Sequence, residues 1–175
     1  MFSAFVVSQI LIAIALVFDL ASFQFKSRKV TLLCFAAAAS LISAHFFLLG
    51  AVTAGAVVAV SVLRFATAYF TSDRRIMYGF LCIVLALGIL TYDGFEDILI
   101  TAGMLLATIA AFSVNERRLR EFMGVGTVLV IIHNIIIFTP AGIMLEIFFL
   151  SSNLLSYWRF YIKKPTASVG GGCGK

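Results

Sequence analysis

Eight strongly polar side chains stand inside long apolar runs: Gln9, Asp19, His45, Arg64, His133, Asn134, Glu146 and Asn153. A charged group at the centre of a bilayer costs about 2.5–3.5 kcal/mol on insertion scales unless it is paired or wet, so each is a functional candidate by default. Imidazole titrates near neutrality, and a carboxylate beside it makes a proton relay or a seat for a small polar solute. His45, His133 and Glu146 are the groups able to do this. Two histidines and a carboxylate also match a transition-metal ligand set. They lie far apart in sequence, with no local spacing such as HxxxH, and no metal or other cofactor is expected. The plainer alternative is that each histidine bonds a backbone carbonyl of a neighbouring helix and ties the two together. Arg64 either snorkels towards headgroups or pairs internally with Glu146, Asp19 or a substrate anion. Asn153 reads as an interhelical hydrogen bond or as part of a solute path. Asp19, near the end of its run, reads as interfacial, opposite the Lys26 cluster.

The elements that must position these groups are apolar helices. Hydrophobic residues make up 62% of the 175-residue chain and charged residues 12%. Soluble domains carry roughly a quarter charged residues, so the chain belongs in lipid. Seven apolar runs can be drawn, at 3–24, 30–50, 52–71, 76–92, 97–114, 121–138 and 140–161. Each is near the ~20 residues a helix needs to cross the hydrocarbon. Gly50 with Thr53-Ala54-Gly55, and Thr139-Pro140-Ala141-Gly142, mark two tight turns.

Twelve of the thirteen Lys and Arg fall in four places: Lys26-Arg28-Lys29, Arg74-Arg75, Arg117-Arg118-Arg120, and Arg159-Lys163-Lys164 with Lys175. Basic loops stay cytoplasmic. Seven spans with the N-terminus outside and the C-terminus inside satisfy every loop, including the acidic Asp93–Asp97 turn. Arg64 is the one positive charge that topology leaves unexplained. Counted along the helices at 1.5 Å per residue, Gln9, His45, His133 and Glu146 lie roughly 8–9 Å from the outer ends, a polar layer with Asn134. Arg64 and Asn153 lie roughly 18–20 Å in.

The chain also has a plan. One helix, a basic loop, a second helix, an uncharged hairpin and a third helix occur twice. The expected fold is an all-α membrane bundle: a first triplet at 1–71, a linker helix at 76–92, and a second triplet at 97–162. It forms a single transmembrane domain over 1–164, with a flexible tail at 165–175. An offset of 88 brings His45 onto His133 and Tyr69 onto Tyr157. Only six of 62 positions are identical over 9–70 against 97–158, so the repeat rests on landmarks. Two like-oriented triplets around a linker are the layout of the SWEET (PQ-loop) sugar transporters.

The series His45-Phe46-Phe47-Leu48-Leu49-Gly50, Ala54-Gly55 and Arg64 resembles the first half of the YgjV-type bacterial inner-membrane proteins. Ile132-His133-Asn134, Ala141-Gly142, Glu146, Asn153 and Trp158-Arg159 resemble the second half. The likeness runs over most of residues 5–162. It implies a multi-pass protein of the bacterial inner membrane and no particular activity. It also implies an Asn near the position of Ser61, where this chain departs.

Other classes fall away. The net charge of +5 is topology rather than a nucleic-acid footprint. Three cysteines form no disulfide framework; Cys34 and Cys82 read as packing residues, and Cys173 belongs to the tail. The first run has no preceding basic residue and no cleavage motif, so it reads as a helix rather than a signal peptide. No nucleophile elbow, HExxH, phosphate loop or acidic cluster for Mg²⁺ is present, and an enzyme is not expected. Lys163 and Lys164 lie beyond the last helix, which excludes retinal chemistry. Tyr157, Trp158 and Tyr161 with Arg159, Lys163 and Lys164 read as an interfacial anchor. The expected partners are the lipid bilayer and a small polar solute or proton, with a homo-oligomer left open. The leading function is small-solute transport; the alternative is a non-transporting scaffold, sensor or assembly factor.

Overall fold

The computed structural model describes residues 2–50, 52–138 and 140–163, with the side chains of 2–4, 52–54 and 141 outside that description. The tail expected at 165–175, with Cys173 and Lys175, lies outside the described residues, as does Lys164. Among the described residues every regular element is helical. Seven α-helices follow one another: α1 (Phe2–Ser22), α2 (Arg28–Leu48), α3 (Val52–Phe70), α4 (Arg74–Leu90), α5 (Phe95–Phe112), α6 (Glu116–Ile136) and α7 (Pro140–Tyr157). A single π-helical turn, Trp158–Ile162, ends the described chain. By length and composition, α1, α2, α5 and α6 are apolar enough to cross a membrane.

Local chemistry sets the helix ends. Asp73 Oδ1 accepts the Arg75 N–H and Asn115 Oδ1 the Arg117 N–H, each satisfying one of the orphan donors at a helix start. Asp97 Oδ2 accepts the N–H groups of Asp93 and Gly94 and starts α5. α6 begins at Glu116 rather than near residue 121. Its charged first turns hold as helix through the Asn115 cap and the ion pairs Arg120–Glu116 and Arg117–Glu121, each one turn apart. The hairpins after α2 and α6 both turn through a left-handed residue, Gly50 at φ 77° and Phe138 at φ 55°.

α2 packs against α1 and α3, α6 against α5 and α7, and α4 against α5; α1 touches α7, and α3 touches α5. Glycine permits the closest of these approaches. A Cβ on Gly103 would lie 3.0 Å from the Gly126 carbonyl oxygen, and one on Gly126 3.0 Å from that of Gly103. α5 and α6 therefore meet backbone to backbone. The positions 88 residues earlier are Ala15 and Ala38, both buried.

The densest packing lies where the basic loops are. Phe23, Leu32, Phe35, Phe65, Ala68, Ala111, Phe112, Leu119 and Met123 form one cluster. They come from the end of α1, the first half of α2, the end of α3, the end of α5 and the start of α6. Phe23 meets Phe35 and Phe149 edge to face, at centroid distances of 5.4 and 4.8 Å.

Candidate functional site

A cavity of about 250 Å³ sits directly against this aromatic plug. Six helices wall it, and α4 contributes nothing. Its lining includes Asp19, Phe35, Ala39, Ile42, Val58, Ser61, Ala107, Met123, Thr127, Val130, Glu146 and Phe149. These twelve form six pairs 88 residues apart, such as Phe35 with Met123 and Ser61 with Phe149. A second cavity of about 190 Å³ adjoins it between α1, α2 and α7, sharing Asp19, Ile42, Glu146 and Phe149.

Charge is placed unevenly around this wall. Asp19 and Glu146 are the ionisable groups, and both belong to the α1–α7 side. Their partners at the 88-residue step are Ala107 and Val58, which carry no charge. Among the described residues no basic side chain lines either cavity. Sequence placed Asp19 at the interface; the structure turns it to the cavity wall with Glu146, because this face of α1 meets α7 rather than the basic loop.

The histidines do different work. His45 Nδ1 lies 2.9 Å from the Ser8 carbonyl oxygen, and His133 Nδ1 lies 2.9 Å from that of Glu96. Each ring ties its helix to the one before it. Donor, acceptor and span correspond at the 88-residue step. Among the described residues neither ring hydrogen-bonds Glu146. Gln9 is exposed and reaches only Ser8 Oγ, at 3.4 Å. The Asn134 amide packs where a Cβ on Gly142 would stand.

Arg64 is buried and holds no carboxylate. Its Nη1 donates to Thr108 Oγ1 at 2.9 Å and more weakly to the Met104 carbonyl at 3.4 Å. Nη2 reaches Ser61 Oγ at 3.5 Å, and the guanidinium lies 4.7 Å from the Phe65 ring centroid. Arg64 thus bridges α3 to α5 from behind the cavity wall. Among the described residues its Nε has no partner. Asn153 donates to the Arg120 carbonyl at 2.8 Å, and its Oδ1 is buried without a partner.

Two arginines that topology seemed to explain prove structural. Arg28, on α2, donates to the carbonyls of Ala111 and Ser113 at the end of α5, and to that of Ala68 on α3. Arg120, on α6, donates to the carbonyls of Phe23 and Phe25 at the end of α1, and to Ser156 Oγ on α7. The targets 23, 25 and 68 become 111, 113 and 156 at the 88-residue step. Each arginine therefore reaches across to the opposite set of helices and satisfies carbonyls that a helix end leaves free. Ser152 Oγ bonds the Leu20 carbonyl, Gln24 bonds Ser152, and Ser156 bonds the Phe23 carbonyl. The basic end is laced shut.

Sequence reading missed these ties because Arg28 and Arg120 carry the same signal as their exposed neighbours.

The family model Imp-YgjV, described as a bacterial inner membrane protein, matches residues 6–164. No curated protein and no solved structure matches the chain.

Proposed function

The chain belongs to the Imp-YgjV family of bacterial inner membrane proteins, and we propose that it moves a small solute across that membrane through the cavity between two helix triplets. All seven helices span the bilayer, with the N-terminus outside and the basic loops in the cytoplasm. α1–α3 and α5–α7 are like-oriented triplets in a SWEET-like layout, with α4 as the linker. Support for that layout comes from the starts of α2 with α6 and of α3 with α7, the turn residues, the histidine ties, the positions that Arg28 and Arg120 reach, and paired cavity-wall positions, which recur at a step of 88.

The observation that carries transport is the cavity itself: six helices line it, two carboxylates face it, and among the described residues no cation lines it. At about 30 Å³ per water, it holds the volume of roughly eight waters. Such a lining favours a neutral or cationic polar solute, or a proton, and disfavours an anion. The laced basic end closes the cavity towards the cytoplasm, and release there requires the Arg28 and Arg120 braces to part.

The alternative is a non-transporting scaffold, sensor or assembly factor. It draws on the two histidines, both of which are occupied in tying helices together.

The test is uptake by proteoliposomes across sugars, amino acids, amines and metal ions, comparing the parent with Asp19→Asn and Glu146→Gln. Losing a charge-assisted hydrogen bond of about 1.5–3 kcal/mol predicts a fall of about tenfold or more for a cationic solute. If no solute enters faster than into protein-free liposomes, the transport reading fails.

A further inference from the structure

A different cavity, of about 420 Å³, opens at the basic end between the start of α4 and the α5–α6 loop. Its rim carries Arg74, Arg118, Ser72 and Asn115, and its floor includes Phe112 and Phe122. Among the described residues no acidic side chain lines it. The acids nearby are engaged elsewhere: Asp73 caps the Arg75 N–H, Glu116 pairs with Arg120, and Glu121 accepts from Arg117 and Tyr157. Arg74 and Arg118, by contrast, make no ion pair and no side-chain hydrogen bond among the described residues. Two free guanidiniums thus flank one opening, and the starts of α4 and α6 both lie beside it. Helix starts carry partial positive charge and exposed N–H donors, which adds to the preference for an anion.

The floor decides what kind of anion. Phe112 is buried in the main aromatic cluster, so the cavity runs from a charged rim into apolar helix surface. A free ion uses only the rim. A phospholipid uses both, with its phosphate at the arginines and its acyl chains along the helices. Basic pockets between spanning helices on the cytoplasmic side are where anionic headgroups bind.

We propose that the Arg74–Arg118 cavity is a binding site for an anionic phospholipid, with the headgroup phosphate held between the two guanidiniums. The site is separate from the central cavity and does not depend on transport. A bidentate guanidinium–phosphate contact is the natural geometry for two arginines at one mouth.

The test is native mass spectrometry of the full chain in detergent, titrated with phosphatidylglycerol or phosphatidylcholine. Phosphatidylglycerol is retained by the parent in preference to phosphatidylcholine. Arg74→Gln and Arg118→Gln each weaken it about fivefold, and the double variant about 30-fold. Arg75→Gln, outside the cavity, changes it less than twofold. Arg74→Lys/Arg118→Lys keeps both charges but loses the planar fork, so it binds more tightly than the double Gln variant and more weakly than the parent, which separates lost charge from misfolding. Equal losses for Arg75→Gln and Arg74→Gln would reduce the effect to diffuse surface charge and overturn the site. Inorganic phosphate displacing the lipid at equal concentration would overturn the lipid assignment and leave a free-anion site.

Discussion

Replacing Arg120 with methionine tests the cross-brace most directly. The side chain is 1% exposed. Its guanidinium donates to the Phe23 carbonyl at 3.0 Å, the Phe25 carbonyl at 2.7 Å, and Glu116 Oε1 at 2.6 Å. It also bonds Ser156 and lies against the rings of Phe23 and Phe160. Methionine keeps much of the packing volume and removes every donor. The Glu116 side chain, 13% exposed, is then left charged without a partner. Breaking a buried pair from one side costs about 3–5 kcal/mol, and we expect that loss for Arg120→Met. Adding Glu116→Gln removes the stranded charge, so the double variant recovers about 1–3 kcal/mol, the size of coupling between contacting residues.

The assay is reversible unfolding in mixed micelles of increasing denaturing detergent. The chain has a single tryptophan, Trp158, at the start of the π turn that also carries Phe160, so its emission reports on this end of the bundle. Arg28→Met provides the internal comparison. Arg28 is half-buried and has three carbonyl acceptors but no carboxylate, so its loss is smaller, about 1–3 kcal/mol. A cost below about 1 kcal/mol for Arg120→Met, or no recovery with Glu116→Gln, would refute the reasoning and return Arg120 to a solvated topology charge.

Other outcomes follow from the same geometry and the same assay. Phe138 is 84% exposed with a left-handed backbone, so Phe138→Gly stabilises by up to about 1 kcal/mol, whereas Gly50→Ala destabilises by about 1 kcal/mol with no clash to blame. Gly126→Ala drives a methyl group to 3.0 Å from the Gly103 carbonyl oxygen, and α5–α6 packing loses about 1–3 kcal/mol. His45→Ala and His133→Ala cost similar amounts, about 0.6 kcal/mol each and no more than about 1.7, because their interhelical bonds are alike. A several-fold difference between them would show that one ring has a further role.

Helix number and approximate spans were legible because hydropathy and basic loops are long-range averages that single residues barely disturb. The boundaries of α6 were less so, since Glu116–Glu121 reads as polar loop until the Asn115 cap and the one-turn ion pairs are seen. The polar candidates were legible as a set but not as a constellation. Depth along a helix can be counted from sequence, whereas the direction a side chain faces depends on which helices touch. His45 and Glu146 share a depth, yet one bonds α1 backbone and the other lines a cavity. Asp19, read from its depth as interfacial, also lines that cavity. The step of 88 shows in spacing rather than in identity: the positions that correspond are turns, carbonyl acceptors and small side chains. Gly50 and Phe138 occupy corresponding turns with nothing chemical in common.

The partition between arginine and lysine explains why the basic clusters hid structural residues. Membrane orientation counts positive charge and is indifferent to the side chain bearing it. Bridging helix ends is not indifferent. Arg28 reaches three carbonyls on two helices, and Arg120 serves two carbonyls, a hydroxyl and a carboxylate; each task uses donors spread over a planar fork. Lysine concentrates its donors on one nitrogen. The lysines of the same clusters instead lie over aromatic rings, Lys26 over Tyr161 and Lys29 over Tyr69, each at 5.8 Å. These contacts keep the ammonium near water. Within one cluster, then, arginine is the choice where backbone oxygens converge and lysine where only a charge at the interface is needed. Residues that read in the sequence as topology charges also join the helices, and identity rather than position separates the two roles.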